Sequence, residues 1–428
     1  MNIRIYNARI LTMTDGMNLT DGEILICGEK ISYVGPSMGG TERETVWDRE
    51  INADGNLIMP GFKDAHTHSA MTFLRSYADD MPLMDWLTNQ IFPMEAKLTP
   101  DDIYHLTKLA ILEYLTSGIT AAFDMYLTPD TIAQAARECG FRMVMSGGVN
   151  NFSQSVSEME EWYLKYNEPG SLVSFLPGFH AEYTNSRENL EAFAAFADRY
   201  KAPFYMHNSE TEQEVKDCIG RYGMTPTALF ESLGIFNYGG GGFHCVYVTD
   251  EDIEIMREHH VSAITNPASN MKLASGIAPI QRIMEKGVNI AIGTDGAASN
   301  NCLDMFREMF LVTGLAKLKG MDASAVSGES VLRMATAGGA EAMCLDDCDE
   351  LAPGKYADLV MIDLHQPNMQ PLNHIVRNIV YSGSKMNVAM TMINGRILYE
   401  RGSFFINDDP EEIYATANAI IGRMREES

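Results

Sequence analysis

Ten histidines occur in this chain, and five of them stand at or near the ends of short apolar runs. LIMPGFKDA passes into Asp64-Ala65-His66-Thr67-His68, LVSFLPGF passes into His180, and APFYMHN carries His207 with Glu210 three residues on. GGGFHCV carries His244, and VNIAIGT runs into Thr294-Asp295-Gly296. Residues two apart on a strand share a face, so His66 and His68 can point the same way. A His-x-His pair, a His-x-x-Glu pair or a Thr-Asp-Gly turn is common by chance when met alone. At the same ends of successive strands they describe one convergent polar site.

Three imidazoles and one carboxylate, His66, His68, His207 and Asp295, make a nitrogen-rich ligand set. Zinc fits such a set and ferrous iron also fits, whereas calcium and magnesium want mainly oxygen. A catalytic ion keeps an open position for water and lowers that water's pKa toward about 7. Glu210 lies near this set without being needed in it, which frees it to move protons. His244 can hydrogen-bond the water or the tetrahedral centre that the water forms.

Positioning these groups requires many strands opening on one mouth. Eight strand-like runs alternate with helix-length amphipathic segments such as PDDIYHLTKLAILEYLTSG and TDEDIEIMREHH. The runs are LIMPGFKDA, ITAAFDM, FRMVMS, LVSFLPGF, APFYMHN, GGGFHCV, HVSAITN and VNIAIGT. Eight such units predict an α/β fold, a (β/α)8 TIM-type barrel with its reactive groups at the C-terminal ends of the strands. Both chain ends read instead as short strands and turns. They are expected to pair into one small β-sandwich domain, residues 1–58 plus 353–408, flanking a barrel over 59–352. Residues 409–428 are expected to form a helix, acidic at its start and basic at its end, as its dipole favours.

Composition narrows the function. With 58 acidic against 32 basic residues the net charge is −26, which disfavours nucleic acid and anionic membrane surfaces as partners. The N-terminus lacks the basic and apolar regions of a secretory signal, and no run approaches the roughly 18 apolar residues of a membrane span. Seven scattered cysteines suit a reduced, cytoplasmic protein. A small-molecule substrate is the expected partner, and homo-oligomerisation is left open. His105, His259, His260, His365 and His374 lack a metal-like context, and Cys344 and Cys348 read as incidental thiols. The 29 methionines read as core filler. Gly239–Gly242 do not follow a strand and open a helix, so no phosphate cradle is expected.

PGFKDAHTHSAMTFLRSYADDMPLMDWL, HNSETEQEV, FHCVYVTDEDI, NPASNMKLASGIAPI and GTDGAASNNCLDMFREM resemble the amidohydrolase superfamily. Within it they are most similar to 5′-methylthioadenosine/S-adenosylhomocysteine deaminases and their chlorohydrolase and cytosine deaminase cousins. The resemblance spans nearly the whole chain. It implies that His66, His68, His207 and Asp295 bind zinc, and that Glu210 and His244 work on the water and the purine ring. It also implies that Glu95, in FPMEAKL, binds the ribose hydroxyls and that His180 contacts substrate. Asp295 is expected to take the water's proton as well as to hold the metal. The reaction implied is hydrolytic deamination at purine C6 of an adenosine-like nucleoside. The rivals are an amidohydrolase of guanine, a pterin, cytosine or a triazine, and a non-catalytic metal-binding scaffold.

Three departures from the family pattern bear on this. Two-metal relatives carry a bridging lysine at the end of strand four, and LVSFLPGFHAEY has none, so one ion per chain is expected. An arginine that relatives place at the end of strand three is Gly147 here, in MVMSGGVNN. The histidine that precedes the NPxSN element in relatives is Thr265. Without the strand-three arginine a neutral 5′ group is expected. Met81, Met84 and Trp86 are candidates for an apolar wall and equally for core packing, and Arg187 is the remaining candidate cation.

Overall fold

The computed structural model describes residues 1–14, 17, 19–38 and 46–426. The chain begins with five strands, β1 (Asn2–Leu11), β2 (Leu19–Cys27), β3 (Lys30–Gly35), β4 (Arg49–Asn52) and β5 (Leu57–Pro60). β1 alternates buried Ile3, Ile5, Ala8 and Ile10 with more exposed residues, the period of a half-buried strand.

All eight apolar runs then form parallel strands: β6 (Phe62–Thr67), β7 (Ile119–Met125), β8 (Arg142–Ser146), β9 (Val173–Phe175), β10 (Phe204–Asn208), β11 (Gly240–His244), β12 (Val261–Thr265) and β13 (Ile290–Ile292). LIMPGFKDA is divided at Gly61, its first half becoming β5 and its second β6. Strands covered by helices on one side and by each other within are buried on both faces, which explains the unbroken apolar runs. β7 is buried along its whole length.

β6–β7–β8–β9 and β10–β11–β12–β13 are two four-stranded halves that meet at two seams. At one seam Tyr205 pairs in parallel with Gly178, and His207 N donates to His180 O at 2.9 Å. At the other, Asp295 N donates to His66 O at 2.9 Å. Close approach there demands glycine: a Cβ on Gly293 would sit 2.7 Å from His66 O. The glycine run is itself a barrel strand, and a Cβ on Gly240 would lie 1.9 Å from Phe204 O. Helices separate the strands, several of them opened by a local signal. Thr99 and Asp102 form a capping box at Pro100–Thr116, as do Thr211 and Glu214 at Glu212–Tyr222.

After the barrel, β14 (Leu359–Ile362), β15 (Val388–Ile393), β16 (Arg396–Glu400) and β17 (Ser403–Phe404) return to the first strands. β14 pairs with β5, so both chain ends build one nine-stranded sheet. The expected sandwich is one continuous sheet curled over its own core of Ile3, Ile24, Leu359 and Met390 among others. β5 carries this sheet two residues past position 58. The last helix runs Pro410–Glu426, and residues 427–428 lie outside the described residues. It docks on Pro100–Thr116 through Arg423 to Asp102 at 2.6 Å. Among the described residues no helix is long and apolar enough to cross a membrane.

One buried ion pair joins barrel and sheet. Arg142, at the start of β8, places Nε 2.6 Å from Asp358 Oδ2 and Nη2 2.9 Å from Asn394 Oδ1. Burial opposes charge on Asp358, but Arg142 outweighs it and holds the carboxyl below its ordinary range. Removing one partner strands the other charge. Asp358→Ala should therefore cost roughly 3–5 kcal/mol, read as a lowered urea unfolding midpoint, and an unchanged midpoint would refute this role.

Candidate active site

The C-terminal strand ends converge on a cavity of about 560 Å³ whose lining includes His68, His180, His207, Glu210, His244 and Asp295. His66 lies beneath, fully buried, with its ring stacked 3.8 Å from that of Phe243. To bring these groups in, the backbone turns left-handed at non-glycine residues. Ser209 has φ 54°, His244 φ 70°, Cys245 φ 48° and Asp295 φ 59°. Such conformations cost about 1–3 kcal/mol each and persist only where the surroundings impose them.

Nitrogens of His66, His68 and His207 lie within 4.8 Å of one another. His68 Nδ1 is 2.5 Å from Met125 O, and His207 Nδ1 is 2.7 Å from His180 O. A carbonyl can only accept, so each Nδ1 carries the proton and each Nε2 keeps a free lone pair. Both His66 nitrogens are buried with no protein partner among the described residues. Asp295 Oδ1 sits 3.3 Å from His68 Nε2 and 3.8 Å from His66 Nε2. Burial, and then the neighbouring imidazoles, push His66 and His207 well below the ordinary histidine range, so both rings are neutral. Orphaned, neutral and mutually crowded nitrogens beside a carboxylate fit a divalent cation of borderline softness.

Around this floor sit the proton-handling groups. Glu210 Oε1 accepts from Ser275 Oγ at 3.2 Å, and its Oε2 is 3.9 Å from His244 Nε2. Burial raises the Glu210 pKa, against the pull of His244. Burial works to lower His244, but Glu210, Asp295 and the 2.7 Å contact of Nδ1 with Asn270 Oδ1 raise it. Asp295 is lowered despite burial by His68, His244 and a 2.6 Å bond from Ser269 Oγ. Two unlike carboxylates flank one imidazole, one shifted up and one down, which is how acid and base roles separate.

Glu95 and His180 also line the cavity. Glu95 Oε1 accepts from Tyr126 Oη at 2.6 Å, and His180 Nδ1 is 3.2 Å from Thr184 Oγ1. Burial, then His68 and His244, lowers His180 to about 4. Of the residues suggested for an apolar wall, Trp86 lines the cavity, Met84 is 55% exposed, and Met81 packs against the core. Arg187 pairs with Glu191 on the surface at 2.8 Å and is not among the lining residues. His105, His259, His260, His365 and His374 stand away from the cavity, His374 beside Glu329 at 3.3 Å.

Several supporting residues were not singled out by motif. Ser269 and Asn270, in NPASN, hold Asp295 and His244. Asp64 accepts from Thr294 N at 2.7 Å and Thr294 Oγ1 at 2.6 Å, and burial lifts it to about 7. Glu214 accepts from the N–H groups of Ser209 at 2.9 Å, Glu210 at 2.8 Å and Thr211 at 3.4 Å. Thr-x-x-Glu in ETEQEV is a capping-box signal, so Glu214 was legible.

A family model described as "Amidohydrolase family" matches residues 57–398. A 5-methylthioadenosine/S-adenosylhomocysteine deaminase of Pelotomaculum thermopropionicum is 40% identical over 97% of each chain. One from Caldicellulosiruptor saccharolyticus is 38% identical over 100% of both. Among solved structures, an adenosine deaminase from Xanthomonas campestris with bound zinc superposes with TM-score 0.94 at 33% identity, covering 99% of this chain and 98% of its own. Zinc-complexed atrazine chlorohydrolase from Arthrobacter aurescens shares the fold, with TM-score 0.89 at 24% identity over 98% and 100%. The chain belongs to the amidohydrolase family.

Glu214→Ala would strip three clustered N–H groups of their acceptor. Buried donors left unpaired cost about 1–3 kcal/mol each, so this loop should open. Hydrogen exchange at Ser209, Glu210 and Thr211 should accelerate at least tenfold while β7 keeps its protection. Unaltered exchange would show that Glu214 does not hold the loop.

Proposed function

We propose that this protein is a hydrolytic deaminase of adenosine-like nucleosides that uses one zinc ion, with ferrous iron as the alternative. His66, His68, His207 and Asp295 would hold the ion. The observation that carries the reading is the fully buried His66, both of whose nitrogens lack a hydrogen-bond partner among the described residues, crowded by the imidazoles of His68 and His207 and overlooked by Glu210 and His244. The 5-methylthioadenosine/S-adenosylhomocysteine deaminases and the zinc-bound adenosine deaminase support the substrate class.

An ion held by His66, His68, His207 and Asp295 would supply the chemistry of a Lewis acid, lowering the pKa of a bound water toward about 7. Asp295, held by Ser269 and by Gly296 N at 2.8 Å, would take a proton from the attacking water. Glu210, whose pKa burial raises, delivers a proton to the ring nitrogen beside C6. His244, fixed by Asn270, hydrogen-bonds the oxygen as it adds to C6. The water oxygen bonds to C6, the bond from C6 to the exocyclic nitrogen breaks, and ammonia leaves. One water proton ends on the ring nitrogen and the other on ammonia. His180 contacts the base, and Glu95 binds the ribose diol from the cavity wall. A free heterocyclic base has no diol for Glu95, and a non-catalytic scaffold has no use for Glu210, so the nucleoside reading is favoured over both.

Ammonia release from adenosine and 5′-methylthioadenosine by zinc-loaded protein is the test, and none from either would sink the proposal. Glu210→Gln should keep its metal and fold while turnover falls by roughly 10²–10⁴. Turnover at the unmodified rate would assign proton transfer elsewhere.

Charge narrows the substrate further. The cavity lining contains no lysine or arginine among the described residues, and its carboxylates are Glu95, Glu210 and Asp295. The carboxylate of a homocysteine 5′ end finds no cationic side chain there. The loss of a charge-assisted bond, roughly 1.5–3 kcal/mol, predicts at least a tenfold preference in kcat/KM for methylthioadenosine over S-adenosylhomocysteine. Equal values would overturn this.

A further inference from the structure

We propose that Tyr114 and Asp124 are positioning residues for the metal floor, gripping Thr67 and Ser69 on either side of His68 and tying that segment to the Asp295 strand end. The inference rests on the ligand set proposed above and concerns how the chain holds it.

His68 stands where regular strand geometry ends. β6 and β7 pair Asp64 with Ala122 but Thr67 with Asp124, so β6 carries one extra residue between those points. Such a bulge re-aims side chains and interrupts the ladder of backbone bonds. The chain then leaves β6 at Thr67 and turns at once into the short helix Ser69–Leu74. A ligand at this junction needs its neighbours fixed from outside the strand.

Side chains supply that fixing. Thr67 Oγ1 donates to Asp295 O at 3.1 Å and lies 2.8 Å from Tyr114 Oη. Tyr114 Oη in turn lies 3.0 Å from Ser69 Oγ. A hydroxyl has one proton to give, and that of Thr67 goes to a carbonyl, which can only accept. Tyr114 therefore donates to Thr67, and Ser69 donates to Tyr114. The three hydroxyls bond head to tail from Ser69 to the Asp295 carbonyl, bridging the residues before and after His68. Asp124 completes the grip, its Oδ1 accepting from Ser69 N at 3.0 Å. The next residue of β7, Met125, gives its carbonyl to His68 Nδ1.

Packing alone does not account for these groups. Thr67, Ser69, Tyr114 and Asp124 are all fully buried, so water cannot replace a lost partner. Tyr114 stacks on Phe141, a contact that a phenylalanine would make as well without the hydroxyl. Asp124 Oδ2 finds no hydrogen-bond partner among the described residues, which makes the buried carboxyl costly to keep. What both side chains provide is the fixed placing of the segment that carries His68.

The test is zinc affinity, measured on full-length protein by competition with a chelator. Tyr114→Phe keeps the ring and removes only the hydroxyl. It should weaken zinc binding roughly tenfold or more, as loss of groups that orient metal ligands does. Asp124→Ala should do the same, while Asp124→Asn, which keeps an acceptor for Ser69 N, should recover most of the affinity. A role confined to packing would lower the urea midpoint and leave zinc affinity unmoved. Unchanged affinity in both Tyr114→Phe and Asp124→Ala, or equal losses in the alanine and asparagine variants, would overturn the proposal while leaving the ligand set intact. An unmodified protein that takes up no zinc would overturn the ligand set and the proposal with it.

Discussion

Three imidazole nitrogens packed within 4.8 Å in a buried floor are a constraint that the surrounding structure must satisfy. Protonated, the rings would repel one another without water to screen them, so burial drives His66 and His207 neutral. Neutral, each needs an acceptor for its one N–H. The barrel supplies those acceptors from strand-end carbonyls, Met125 O for His68 and His180 O for His207. The same His180 carbonyl takes the backbone N–H of His207, so one oxygen both closes a barrel seam and sets a tautomer. His66 finds no hydrogen-bond partner at either nitrogen among the described residues, which leaves a lone pair that a cation at the floor would take.

Carboxylates around the floor follow a second rule. Asp64, Glu214 and Glu308 are buried without a cation in hydrogen-bond contact and are instead fed by backbone and side-chain donors. Burial lifts them to about 7, 7 and 8. Glu308 accepts from Ala268 N at 3.0 Å and Asn300 Nδ2 at 2.9 Å, and Asn300 reaches Thr294 O at 2.6 Å. It thus ties the Asp295 strand end to the helix Pro267–Lys272, whose Ser269 and Asn270 hold Asp295 and His244. Groups this buried and this mutually bonded do not move singly, which is the rigidity a reacting geometry requires.

The outer cavity obeys a different logic. There the walls come from the helical run 83–95 and the loop around Phe152, elements outside the eight strands. The floor is tied by hydrogen bonds that permit few residue types, whereas an apolar wall accepts many.

Strand count and the residues that meet at the barrel mouth were legible in the sequence because each rests on a local rule. Parallel strands covered on both faces must be apolar throughout, and residues two apart share a face, so His66, His68, His207, His244 and Asp295 could be placed at one end. Glu214 was legible too, through its capping box with Thr211. Tertiary structure decided what no local rule contains. It turned the expected sandwich into one curled sheet, because β14 chooses β5 as its neighbour across some 300 residues. It also set Trp86 into the cavity while leaving Met84 facing solvent, because the sequence does not say which face of the turn Leu83–Trp86 meets the barrel mouth. Ser269 and Asn270 gained their partners only when β11, β13 and the helix after β12 closed together. A side chain's type is a property of the sequence, but which lone pair it meets depends on strands that pack beside it from hundreds of residues away.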